Sequence, residues 1–231
     1  GLASTLNNLA VQLGESFRLR GDSARLDEAQ QAVDEALGIY RELAARDPDA
    51  YLPGLASTLN NLAVQLGESF RLRGDSARLD EAQQAADEAL GIYRELAARD
   101  PDAYLPGLAS TLNNLAIQVA ESGRLDEGHQ LAREALALHQ TLAERDPDAY
   151  LPDLGRTLDN LAYVYVSAGR LDKALPLFQG TLSDRERVLG PDHPDTLASR
   201  NNLAYAYEAA GRLDEAIPLY QHTLTDRERV L

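Results

Sequence analysis

The sequence predicts an all-α protein, a solenoid of about five helix-turn-helix hairpins filling residues 1–231 as a single domain. Three observations carry that prediction. The phrase GLASTLNNLA at Gly1 returns letter for letter at Gly54 and Gly107, with paler copies DLGRTLDNLA at Asp153 and DTLASRNNLA at Asp195. Within the copies, apolar residues recur at the i, i+3, i+4, i+7 spacing of one helical face. Breaks rich in glycine, proline and aspartate then divide each unit into two helical segments.

Aligned on the Asn-Leu-Ala core, Leu9, Leu62, Leu115, Leu161 and Leu203 fall in register with spacings of 53, 53, 46 and 42 residues. The repeats therefore run 1–53, 54–106, 107–152, 153–194 and 195–231. The first two differ only at Val33 and Ala86, which points to a very recent duplication or a designed array.

In repeat one, Leu6, Leu9, Ala10, Leu13 and Phe17 define a first helix, here helix A. After a break at GDS, the residues Leu26, Ala29, Val33, Ala36, Leu37, Tyr40, Leu43 and Ala44 continue the pattern as helix B. RDPDAYLP is expected to end helix B, because a residue before proline leaves the helical region, with Pro53 in the first turn of the next helix. Repeats one and two carry seven residues more than repeat three, LGESFRLRGDSARLDE against VAESGRLDE, or close to two helical turns. Phe17 and Phe70 would extend the stripe of helix A through that surplus, so longer first helices are expected; a long loop is the alternative. The step from 46 to 42 lies at the joint, where ERDPDAYLPDLGRTL gives way to RVLGPDHPDTLASRN, and joint geometry is expected to change there. Pro176 and Pro218 fall near the fifth residue of their helices if Leu171 and Leu213 are N-caps, predicting a slight bend. Gly38 and Gly91 lie mid-helix at a cost of about 1 kcal/mol each relative to alanine, which close packing against a neighbour would justify.

Composition narrows the function. The hydrophobic share, 44%, is that of a folded protein, and the formal net charge is -15 with Lys173 the sole lysine. No basic stripe is present to neutralise a phosphate backbone, so nucleic acid is not an expected partner. The acidity reads as a solubilising surface, with long-range attraction for basic peptides as the alternative. Cysteine is absent, which excludes disulfides, thiolate metal sites and a cysteine nucleophile and fits a reducing compartment. No apolar run approaches the roughly 20 residues that cross a bilayer, and no signal-peptide pattern opens the chain; a cytoplasmic protein without a membrane partner is expected. Methionine is also absent and the chain opens on the first residue of a repeat, so it is expected to be part of a longer protein.

The stretches NLAYVYVSAGRLDKALPLF and NLAYAYEAAGRLDEAIPLY resemble tetratricopeptide repeats. That family sets a large apolar residue, a small one, an aromatic, a turn glycine, a small residue and an aromatic at fixed offsets. Here these are Leu161, Ala162, Tyr165, Gly169, Ala174 and Phe178, then Leu203, Ala204, Tyr207, Gly211, Ala216 and Tyr220. The 42-residue spacing and the LGPDHPDT joint resemble the kinesin-light-chain type, also common in bacterial signalling proteins. Toward the N-terminus Leu66 and Val119 replace the aromatic, and Gly128 replaces the small alanine. The resemblance implies a right-handed superhelix whose concave groove is lined by helix A.

Carried across residue by residue, the groove positions are Asn7 and Asn8, Asn60 and Asn61, Asn113 and Asn114, Asp159 and Asn160, and Asn201 and Asn202. One turn later come Val11, Val64, Ile117, Tyr163 and Tyr205. An amide offers both donors and an acceptor, so such a ladder suits the backbone of an extended peptide; equally, each asparagine suits a bond between neighbouring helices. The positions that carry basic residues in carboxylate-clamp members supply Arg156 but otherwise Ser4, Ser57, Ser110 and Ala198, which argues against a clamp. Glu15, Glu68, Glu121 and Glu208 near the ends of helix A predict a neutral to acidic groove.

Catalysis finds no motif. His129, His139, His193 and His222 lack metal-pair spacing and are expected to be surface or turn residues, and no phosphate loop or nucleophile elbow is present. No cofactor or metal is expected. A protein or peptide ligand on the concave face, within a larger bacterial signalling protein, is the preferred reading. Homo-oligomerisation through exposed terminal repeats is the alternative.

Overall fold

The computed structural model describes residues 1–20, 24–74 and 76–230, and among these it contains ten α-helices and no strand. They are α1 (Leu2–Arg20), α2 (Ala24–Ala44), α3 (Pro48–Arg73), α4 (Ser76–Arg99), α5 (Pro101–Glu121), α6 (Leu125–Arg145), α7 (Pro147–Ser167), α8 (Leu171–Leu189), α9 (Pro194–Ala209) and α10 (Leu213–Val230). Odd-numbered helices are the A helices and even-numbered ones the B helices. Two compact units are formed, Gly1–Ser122 and Gly123–Leu231.

In the first unit α1 packs on α2, α2 on α3, α3 on α4 and α4 on α5, and the A helices α1, α3 and α5 also touch in series. Small residues make that possible. Ala10, Ala56, Ala63, Ala109 and Ala116 are all fully buried, each at a position where a larger side chain would hold neighbouring helices apart. In the second unit the order is α6 on α7, α7 on α8, α8 on α9 and α9 on α10, around Ala162, Ala174, Phe178, Leu203 and Ala216.

The joints do more than end a helix. Asp47, Asp100 and Asp146 accept from the backbone N–H of Ala50, Ala103 and Ala149 at 3.2, 3.2 and 3.1 Å. Each is an N-cap, and the proline that follows occupies the first helical turn, where its missing N–H costs nothing. The A helices thus begin at Pro48, Pro101 and Pro147, and Pro53 is the sixth residue of its helix rather than a first-turn residue. The expectation weighed the proline at the end of the joint, whereas the aspartate at its start sets the boundary.

The seven-residue surplus in repeat two does lengthen helices. Relative to repeat three, α3 gains five residues over α5 and α4 gains three over α6, and the turn shortens by one. Gly74, at φ 70°, ends α3 in the left-handed conformation and donates to the Phe70 carbonyl. Phe70 is half-buried; the side chain of Phe17 and the GDS segment at 21–23 lie outside the described residues.

Arg170 caps α8, so Leu171 is the first helical residue and not the cap, and Pro176 lies one position deeper than expected. Gly38 and Gly91 do not sit against a neighbour. Both are exposed, and a Cβ at either would meet no atom within 4 Å. The close approaches occur instead at Gly54 and Gly107, where a Cβ would lie 2.6 Å from Cζ of Tyr40 and of Tyr93, respectively. Each tyrosine, on helix B, rests its ring on the glycine of the next helix A.

Candidate functional site

The asparagines of unit one form a ladder between A helices. Asn61 Nδ2 donates to Asn7 Oδ1 at 2.9 Å, and Asn114 Nδ2 donates to Asn60 Oδ1 at 3.1 Å. The second asparagine of one repeat thus binds the first asparagine of the repeat before it. A parallel set runs one turn further along, where Gln65 Nε2 donates to the Ala10 carbonyl at 3.3 Å and Gln118 Nε2 to the Ala63 carbonyl at 2.8 Å. Gln83 of α4 adds a bond to the Gln118 carbonyl at 2.9 Å. The inter-helix role weighed for the asparagines therefore holds for these two pairs.

Their amides are half spent. The Nδ2 groups of Asn7 and Asn60 and the Oδ1 atoms of Asn61 and Asn114 have no protein partner among the described residues, and all four side chains are half-buried. Asn8 is exposed. Asn113 is fully buried with neither amide atom bonded among the described residues. Val11, Val64 and Ile117 are half-buried beside the ladder.

In unit two the same positions carry other chemistry. Asp159 replaces the first asparagine and is 7% exposed. Its Oδ2 accepts from Arg185 Nη1 at 2.6 Å and from Ser199 at 3.4 Å, and Arg185 also donates to Ser199. Burial raises the Asp159 pKa, opposed by the Arg185 guanidinium. Asn160, Asn201 and Asn202 are half-buried. Tyr163 and Tyr205, on α7 and α9, stack with ring centroids 6.3 Å apart and planes 23° apart, and Tyr205 is 41% exposed.

Position by position, the residue that contacts the next helix A reads Tyr40, Tyr93, His139, Arg185. His139 is 1% exposed, and its Nδ1 lies 2.8 Å from the Thr157 hydroxyl. It is a core residue, contrary to the expected surface or turn histidine. Burial holds its pKa below the ordinary imidazole value; nearby Asp153 acts the other way. His193 does cap α9, with Nδ1 accepting from Asp195 N–H at 3.2 Å, and His222 is exposed. His129 is half-buried and lies 2.9 Å from the Tyr165 hydroxyl.

Sequence reading missed a buried arginine. Arg200 stands where repeats two and three have Leu59 and Leu112, and it is 2% exposed. Its Nη1 donates to Asp226 Oδ2 at 2.6 Å and its Nη2 to Glu186 at 3.3 Å. Hydrogen bonds from Arg200 and Arg229 hold the Asp226 carboxyl below its ordinary pKa. The available signal was the polar residue inside an apolar stripe at SRNNLA.

The acidic side chains at the ends of helix A are partly answered. Glu121 pairs with Arg71 at 3.3 Å, and burial raises its pKa against that pairing. Glu208 accepts from the Tyr220 hydroxyl at 2.9 Å, which with burial pushes the phenol up to about 12. Arg156, an exposed side chain, pairs with Asp153 at 2.7 Å on the same helix. Glu15 lies outside the described side chains.

A cleft of about 270 Å³ lies in unit two between α7 and α8, lined by Leu151, Leu154, Leu158, Val188 and Leu189. It exists because α9 starts at Pro194, the counterpart of Pro152, and lacks the turn that carries Tyr150 and Leu151 in α7. Among the described residues no group of three or more His, Asp or Glu is placed to hold a metal ion. None of the helices described is long and apolar enough to cross a membrane.

Antiparallel hairpins in series, joined by polar bonds between successive A helices, define a helical-hairpin repeat protein. Models of the tetratricopeptide repeat match residues 108–148 and 153–229. The chain belongs to the tetratricopeptide-repeat family, whose fold is in general a scaffold for protein–protein interaction. Solved structures share the fold. A variant form of a Podosopora anserina kinesin light chain with nearly identical TPR-like repeats is 20% identical with a TM-score of 0.65, covering 100% of this chain and 98% of its own. BtubC (BKLC) from P. vanneervenii is 19% identical with a TM-score of 0.61, covering 99% and 91%. A search of curated proteins returns no match.

Proposed function

We propose that the chain is the recognition part of a larger bacterial signalling protein and holds an extended peptide of a partner on the asparagine-bearing face of its A helices. The observation that carries this reading is the half-spent ladder. The Asn7–Asn61 and Asn60–Asn114 bonds orient four amides at the repeat spacing and leave two whole NH2 groups and two carbonyl oxygens without a partner among the described residues. Donors and acceptors alternating along an extended backbone are what a peptide requires, with no demand on its side chains. Val11, Val64 and Ile117 would supply apolar contact beside them, and in the second unit Tyr163 and Tyr205 would do so on the helices that carry Asn160, Asn201 and Asn202. The likeness to kinesin-light-chain repeats supports an interaction role without naming a ligand.

The ladder asparagines also join repeats, so their loss confounds binding with stability. The cleaner probes are Asn8→Ala, Val64→Glu and Tyr205→Glu. Peptides would be selected from a display library against the parent chain and titrated into each variant after its helicity is checked. Binding about tenfold weaker, roughly 1.4 kcal/mol, in at least one folded variant is expected. Selected peptides that bind all three variants as tightly as the parent would place the site elsewhere and refute the reading.

A further inference from the structure

Every repeat opens helix B with the phrase RLDE or a variant of it, which sets an arginine three residues before a glutamate. Four of the five close it as a local ion pair: Arg25 with Glu28 at 2.8 Å, Arg78 with Glu81 at 2.9 Å, Arg124 with Glu127 at 2.8 Å and Arg212 with Glu215 at 2.6 Å. Repeat four reads RLDK. Lys173, the chain's sole lysine, takes the place of the glutamate, and Arg170 has no carboxylate partner among the described residues.

The consequence spreads to the neighbouring tyrosine. In repeat five Arg212 covers the Tyr207 ring at 4.6 Å while paired to Glu215, and Gln179 donates to the Tyr207 hydroxyl at 2.7 Å. In repeat four Arg170 lies 5.1 Å and Lys173 5.8 Å from the centre of the Tyr165 ring. The counterpart of Gln179 is Arg133, one turn beyond His129 on α6, and it too lacks a carboxylate partner among the described residues. Burial first, then Arg170, Arg133 and Lys173, lower the His129 pKa, with Asp126 acting against them. Two substitutions, Glu to Lys and Gln to Arg, have turned a neutral site into three neighbouring cations on a chain of net charge -15.

We propose that Arg133, Arg170 and Lys173 form a docking patch for an acidic peptide, a run of aspartates or glutamates on a protein partner. Arg170 and Lys173 lie over the Tyr165 ring and Arg133 stands one turn from His129, whose ring packs on the same tyrosine at 5.1 Å, a spread that suits several spaced carboxylates better than one compact anion. At physiological ionic strength the Debye length is about 8 Å, so the remote acidic surface is screened while contacts within the patch are not. The patch draws on α6, on Tyr165 of α7 and on the start of α8, none of them residues of the asparagine ladder, and stands or falls separately from it.

The test is fluorescence anisotropy of a labelled octaglutamate at about 0.15 M salt, with Lys173→Glu and Arg133→Gln as variants. Both introduce the residue that another repeat of this chain already carries, so folding is expected to survive and is verified by helicity. Methylating Lys173 with a 13C label adds an NMR reporter at a unique side chain. Octaglutamate should bind the parent, shift the Lys173 signal, and bind Lys173→Glu at least about tenfold more weakly, while Arg46→Gln, which removes an exposed cation outside the patch, leaves its binding unchanged. Absence of binding to the parent, or equal binding to Lys173→Glu, overturns the proposal. So does a Lys173 signal that moves with inorganic phosphate and not with octaglutamate, which would make the patch a compact-oxyanion site.

Discussion

Gly107→Ala should destabilise the chain although alanine is the better helix former. Gly107 lies inside α5 with no left-handed backbone to preserve, so the substitution gains about 1 kcal/mol of intrinsic propensity. Against that, the new Cβ would stand 2.6 Å from Cζ and 3.0 Å from Cδ1 of Tyr93, where carbon contacts are comfortable at about 3.5–4.0 Å. The ring would have to retreat by roughly 1 Å. Tyr93 is held by burial, which raises its phenol pKa, and by a hydrogen bond with Ser57. Overpacking of this kind costs about 1–3 kcal/mol, so the net loss is about 1 kcal/mol. The chain already contains the compensated version, Asp153 beside His139, where a residue with a Cβ meets a smaller ring. Adding Tyr93→His to Gly107→Ala should therefore recover most of the overpacking cost, a coupling of about 1–3 kcal/mol in a double-mutant cycle. Urea unfolding with hydrogen exchange on α4 and α5 reads the effect locally, as an array of repeats need not unfold as one unit. A Gly107→Ala variant that gains about 1 kcal/mol in both backgrounds would refute the reasoning, since the tyrosine would then be free to move aside.

Asp159→Asn should leave the guanidinium of Arg185, a side chain 13% exposed, without its countercharge and with only neutral acceptors, and cost on the order of 3 kcal/mol. Asp159→Asn with Arg185→Leu should recover most of it by removing both charges, and thermal unfolding of the single variant at the parent midpoint would contradict this. His139 is kept neutral in the fold with a lowered pKa, so the unfolded chain binds a proton first as pH falls. Its share of stability is complete above the ordinary imidazole pKa of about 6.5 and is lost as pH drops below it toward the lowered folded value. Urea midpoints at about pH 7.5 and about pH 5.5 should differ less for His139→Tyr with Asp153→Gly, the arrangement of Tyr93 and Gly107, than for the parent; an equal difference would assign the acid sensitivity elsewhere.

Helix existence was legible because burial of one face imposes a period that survives in Leu59, Ala63 and Leu66 as plainly as in the letters. Helix starts were less so. Asp47 and Pro48 look like the end of one segment until the Asp47 carboxylate is seen to accept from Ala50 N–H, and only then does DPDAYLP become the opening of α3. Gly38 and Gly54 are both helical glycines, and nothing local tells which one meets a neighbour. That depends on Tyr40 reaching across to the next repeat, a contact set by how the hairpins pack. His139 was misread for the same reason: its partner Thr157 belongs to the following helix A.

The candidate site repeats the lesson with a useful twist. A peptide rail and a stacking ladder call on the same asparagines, and the structure separates what is spent from what is left atom by atom rather than residue by residue. Asn61 spends a donor on Asn7 and retains an acceptor, while Asn60 spends an acceptor on Asn114 and retains a donor. Identical copies make this self-complementary, because each repeat offers backward what it accepts from the repeat ahead, so repeats one and two can be duplicated without redesigning the joint. Where the wording drifts, an amide gives way to Asp159 with Arg185, and a core leucine gives way to Arg200 with Asp226. An ion pair with one acidic and one basic member does not propagate by copying a single position; both members must change together, and a neighbour lacking its half leaves a buried charge. The same contrast separates Arg212 with Glu215 from Arg170 with Lys173, where one member changed alone and the charge that results is exposed to a partner instead of buried in the stack.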